Sequence, residues 1–209
     1  SLQESIVSKM LRSIGAGLVM GCSLAPVLAA QSAPTQQVVA GSPSHTEADA
    51  AFMTGMIGHH AQAVLISSWA KTHDASPALQ ALTERIVVGQ TDEINLMQRW
   101  LREWGMPVPS ADASHDMMPG MEGMAHKMMP GMLTGDELRA LDKTRGKDFD
   151  RLWIQSMIKH HQGALTMIKD LLATPGAARD DWVFKFVSDM NADQGIEIER
   201  MTGMLEKLK

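Results

Sequence analysis

The chain carries one pattern twice. Asp49-x-x-Phe52-x-x-x-Met56-Ile57-x-His59-His60 returns 101 positions later as Asp150-x-x-Trp153-x-x-x-Met157-Ile158-x-His160-His161. A second block, Gln90-x-x-Glu93-Ile94-x-x-Met97-x-x-x-Leu101, returns at an offset of 104 as Gln194-x-x-Glu197-Ile198-x-x-Met201-x-x-x-Leu205. A repeat of this size is one supersecondary unit that buries its apolar face against its copy. One longer connection in the second copy accounts for the three-residue difference between the offsets, so the unit reads as helix, turn, helix.

Local signals agree with that reading. From Asp49, the residues Phe52, Met53, Met56, Ile57, His60, Ala63, Val64 and Ser67 fall on one side of a 3.6-residue wheel. Ser76-Pro77 caps and opens a second helix, with a stripe of Leu79, Leu82, Ile86, Ile94, Met97 and Leu101 that ends near Gly105. Thr134-Gly-Asp-Glu137 has capping-box spacing and predicts a short helix to about Lys143. A third long helix carries Phe149, Trp153, Met157, His161, Ala164, Leu165 and Ile168 and stops at Thr174-Pro175-Gly176. The fourth is expected from about Arg179 to Leu208. No segment alternates like a strand. The expectation is an all-α, ferritin-like four-helix bundle built from a duplicated helix hairpin, with a long Met-rich crossover.

At 209 residues the chain can bury one core. Lys9 and Arg12 precede a short apolar run that ends at Ala29-Ala30, so residues 1–30 read as a signal peptide and 31–46 as a polar leader. Two alternatives stay open: a retained membrane anchor, or a lipoprotein acylated at Cys22. The folded part is then 47–208, comprising a first hairpin (47–104), a Met/His-rich linker (105–134) and a second hairpin with its short preceding helix (135–208). A net charge of −5, with no basic stripe, argues against nucleic acid as a partner. Cys22 is the only cysteine, so thiolate ligands and disulfides are excluded from the processed protein.

Candidate ligands follow from co-occurrence. His60 lies one turn after Met56, and His161 one turn after Met157, so each pair projects from one stripe; His59 and His160 sit at its edge. Met97 and Met201 fall near the middle of the facing stripes, with Glu93 and Glu197 beside them. Helical Met is most often core filler, and a His on an apolar face is most often a satisfied core residue. Filler, however, has no need of the same polar partner in both copies. The glutamates read either as orienting partners of metal-bound imidazoles or as simple partners of buried ones, since a buried polar group without a partner costs about 1–3 kcal/mol.

The linker repeats as well. His115-Asp-Met117-Met118-Pro-Gly-Met121 is followed by His126-Lys-Met128-Met129-Pro-Gly-Met132, with Met124 between. This stretch has no branched aliphatic or aromatic residue and cannot form a packed stripe, which leaves ligation or a plain low-complexity linker. Thioether sulfur selects Cu(I), with Ag(I) as its mimic, and imidazole extends the range to Cu(II).

Phe52-Met-Thr-Gly-Met-Ile-Gly-His-His60, Phe149-Asp-Arg-Leu-Trp-Ile-Gln-Ser-Met-Ile-Lys-His-His-Gln-Gly-Ala164 and the Met-Pro-Gly-Met linker together resemble the domain-of-unknown-function family 305 over about residues 47–208. The resemblance implies a ferritin-like helical bundle. It also implies copper binding, because some members, the CopM-like proteins, are exported copper binders that support copper resistance. The expected function is a periplasmic or secreted protein that sequesters Cu(I) or Cu(II), or hands it to a copper efflux or sensor protein, without catalysis. The alternative is a ferritin-like di-metal iron oxidase using Glu93, Glu197, His60 and His161. Such sites place Glu three residues before the ligating His. Here Ile57 and Ile158 hold that place, or Met56 and Met157 for the preceding histidines. A Met-rich adaptor for hydrophobic partners is the third reading, and it leaves the histidines unexplained.

Overall fold

A computed structural model of the chain describes residues 45–114 and 129–208. Within them lie four long helices and one short one: α1 Glu47–Ser68, α2 Pro77–Glu103, α3 Gly135–Asp142, α4 Gly146–Ala173 and α5 Asp181–Glu206. The described residues contain no strand. Helix starts follow the caps read from sequence. Thr46 and Thr134 each form a reciprocal capping box, with Asp49 and Glu137, and Ser76 accepts from the Leu79 N–H ahead of Pro77. Asp180 caps α5 by accepting from the N–H groups of Trp182 and Val183.

The α1/α2 and α4/α5 hairpins pack together mainly through α1 and α4. The repeated aspartates join them reciprocally. Asp49 at the start of α1 is buried and accepts from the Ala178 N–H, in the turn of the second hairpin, at 2.7 Å. Its counterpart Asp150 accepts from the Ser76 N–H, in the turn of the first hairpin, at 3.1 Å. Each copy thus ties down the turn of the other. Trp153 adds a buried tie, donating from Nε1 to the Ile66 carbonyl at 3.1 Å.

The core has two apolar ends. One gathers Phe52, Met56, Met97, Trp100, Leu101, Ile168, Val187 and Met190. The other gathers Ile66, Leu79, Leu82, Leu138, Phe149, Trp153, Met157 and Met201. Equivalent methionines of the two copies therefore lie in opposite halves of the core. Among the described residues, no helix is long and apolar enough to cross a membrane.

The crossover is described only at its ends. Its C-terminal end is seated on the bundle by two devices. Gln62 clamps Leu133, accepting from its N–H at 2.7 Å and donating to its carbonyl at 3.0 Å. Gly163 on α4 lets the Pro130–Gly131 turn approach so closely that a Cβ there would run into the Pro130 carbonyl.

Candidate metal centre

All four repeated histidines are fully buried. His60 and His161 are inward, as expected. His59 and His160, expected at the stripe edge, are equally inward, and their rings face each other with centroids 3.8 Å apart. A wheel drawn for one helix assumes a single buried side, whereas α1 packs against both α2 and α4. The second side is the one that buries His59.

Three of the four rings share one bonding pattern. His60 Nε2 donates to Glu93 Oε2 at 2.7 Å, and His161 Nε2 donates to Glu197 Oε2 at 2.6 Å. His59 Nε2 donates to the Pro130 carbonyl at 3.0 Å. A carboxylate and a carbonyl only accept, so each Nε2 carries a proton and Nδ1 is the ring nitrogen left for another partner. Each of those Nδ1 atoms is buried without a hydrogen-bond partner, as are both ring nitrogens of His160. Metal-ligating imidazoles characteristically have one nitrogen tied to a carboxylate or carbonyl and the other turned to the ion. Simple structural histidines would not need orphaned nitrogens in both copies.

Burial also fixes the protonation state of the central pair. Desolvation, reinforced by repulsion from His60, lowers the His59 pKa to about 3. Desolvation, with repulsion from His59 and His161, holds His160 well below its ordinary value. Both rings are neutral at physiological pH and available as donors.

The methionines singled out on the helices are core residues. Met56, Met97, Met157 and Met201 are all completely buried, two in each apolar half. From the crossover, Met132 is buried, and the Met129 sulfur lies against Gly55, one turn before His59 on α1. The remaining predicted ligands, His115, Met117, Met118, Met121, Met124, His126 and Met128, lie outside the described residues. Among the described residues, no three His, Asp or Glu side chains converge closely enough to hold an ion unaided. An ion here would need sulfur beside nitrogen, and that is the donor mixture a soft monovalent ion takes. The donor set fits copper.

Sequence reasoning did not identify the seats of the crossover. Gln62 and Gly163 occupy equivalent positions of the two copies, and that difference at one register was the available signal. It also gave no role to Gln90 and Gln194, whose side-chain amides are buried and unpartnered.

The class defined by these features is a duplicated helical hairpin enclosing a buried imidazole layer, with each outer imidazole tied to a glutamate. The chain belongs to the family described as domain of unknown function DUF305, whose profile matches residues 49–205. It is similar to a family member from Streptomyces coelicolor assigned as secreted, with 28% identity and a TM-score of 0.65 over 80% of this chain and 96% of that one. It is also similar to CopM in the Cu(II)-bound form, with 29% identity and a TM-score of 0.59 over 77% of this chain and 97% of that one. CopM in the Cu(I)-bound form gives 27% identity and a TM-score of 0.57 over 76% and 96%. CopM has also been solved with silver. No functionally curated protein is significantly similar to the chain.

Proposed function

We propose that this protein is an exported copper binder that captures Cu(I), and also Cu(II), through the buried imidazole layer and the thioethers around it. It sequesters the ion or hands it to a copper efflux or sensor protein, contributes to copper resistance, and needs no catalytic turnover. The observation that carries this reading is the set of buried Nδ1 atoms left without partners, on rings whose Nε2 atoms are held by Glu93, Glu197 and Pro130. The methionines of the crossover supply further soft donors, and binding of copper and silver by the relative CopM supports the choice of metal. The signal-like N-terminus and the relative assigned as secreted support export.

The test is a chelator competition for Cu(I) and Ag(I) on wild type and a His60→Ala/His161→Ala double variant. The double variant is expected to lose bundle-bound metal while keeping its helical circular dichroism. Metal binding equal to wild type would refute ligation by this layer.

A further inference from the structure

The helix pairing leaves one seam open. α1 packs on α2 and α4, and α4 on α5, but α2 and α5 do not pack closely on each other. Between them lies a cleft of about 240 Å³, lined by Gln90, Glu93, Asp193, Gln194 and Glu197, with Arg85 and Arg200 beside them. No Met, His or Cys lines it. We propose that this cleft is a second cation site, built for a hydrated divalent ion of the oxygen-seeking class, with oxygen donors where the layer behind it has nitrogen and sulfur and with Glu93 and Glu197 bordering both.

Three carboxylates face this space. Partial burial, followed by repulsion from Glu93 and Glu197, raises the Asp193 pKa. Among the described residues, neither Arg85 nor Arg200 forms an ion pair with them. The independent observation is a pair of amides. Gln90 and Gln194 are 4% and 3% exposed, they occupy equivalent positions in the two copies, and none of their four amide atoms has a partner. Buried amides are almost always satisfied, so an orphaned pair on the wall of one cleft points to an absent partner.

Donor chemistry selects the ligand. Carboxylate and amide oxygens suit Mg²⁺, Ca²⁺ and Mn²⁺, and they suit Cu(I) poorly. The carboxylates do not converge tightly enough for a bare ion, so the ion keeps its water shell, as Mg²⁺-like ions commonly do. Six waters at roughly 30 Å³ each occupy about 180 Å³, which the cleft accommodates. Amide and carboxylate oxygens then accept from the bound waters.

Titration of the metal-free full chain with Mn²⁺, followed by loss of the free-ion electron paramagnetic resonance signal, tests this proposal. The variants are Asp193→Asn, at an exposed position that bonds no histidine, and a Gln90→Leu/Gln194→Leu double substitution. One equivalent of Mn²⁺ is expected on wild type, with affinity reduced roughly tenfold or more in each variant and Ag(I) binding unchanged. No Mn²⁺ binding by wild type at millimolar concentration, or wild-type affinity in both variants, overturns the proposal. Failure of wild type to bind Ag(I) would sink the copper reading and leave this one standing.

Discussion

Lowering the pH should unfold the metal-free protein in a way that reports directly on the central imidazoles. His59 and His160 stay neutral in the folded bundle but protonate near pH 6.5 once unfolded, because burial disfavours their charged forms. The unfolded state therefore binds more protons below pH 6.5, and stability falls as pH falls from there towards the folded-state values, about 3 in the case of His59. Each group contributes a slope of about 1.4 kcal/mol per pH unit. By pH 5, still above most carboxylate titration, the two groups together remove about 4 kcal/mol relative to pH 7.5. That is a large part of the 5–15 kcal/mol typical of a domain. Urea denaturation followed by circular dichroism at half-unit pH steps measures this slope. A His160→Leu variant removes one buried base together with its two orphaned nitrogens. It should show about half the slope from the pair, and at pH 7.5 it should be at least as stable as wild type, since an apolar replacement of an unsatisfied polar group is neutral or stabilising. An equal slope in wild type and variant would refute the claim that His160 is held neutral by burial.

Other consequences are local. Gly163→Ala puts a methyl group into the Pro130 backbone, where nothing flexible can yield. Overpacking and loss of the His59–Pro130 bond should outweigh the better helix propensity of alanine, for a net loss of about 1–3 kcal/mol in urea unfolding. An unchanged or raised midpoint would show that the turn does not rest there. Asp49→Asn should cost about 1–3 kcal/mol by weakening the hold on the Ala178 N–H. The equivalent Asp150→Asn should cost less, because its bonds to Ser76 are longer, at 3.1 and 3.3 Å. The opposite order in thermal melts would contradict the clasp.

The parts of this fold that were legible in the sequence are those that depend on neighbours along the chain. Thr46, Ser76-Pro77, Thr134 and Thr174-Pro175-Gly176 mark helix ends through caps and breakers that act over three or four residues. The Glu93–His60 and Glu197–His161 pairs were readable because the duplication kept partner and ring together in both copies. Features set by the packing of one hairpin on the other were not. The burial of His59 and His160 comes from the α1–α4 contact, and the aspartate clasps span 74 and 129 residues. The seat of the crossover needs Gln62 and Gly163 from different copies to meet one turn, Pro130 to Leu133, and helix periodicity carries no information about that. The Met117–Met128 part of the tract lies outside the described residues.

If nitrogen and sulfur donors are gathered here for a soft ion rather than to fill space, the protein prefers Cu(I) to Zn²⁺. Competition of Cu(I) against Zn²⁺ for the metal-free protein, under reducing conditions with chelators buffering both ions, measures that preference. Retention of Cu(I) in the presence of excess Zn²⁺, and its displacement by Ag(I), are the expected results. Equal occupancy by zinc, or no cuprous binding at all, would contradict that preference and leave the buried histidines as core residues without a purpose.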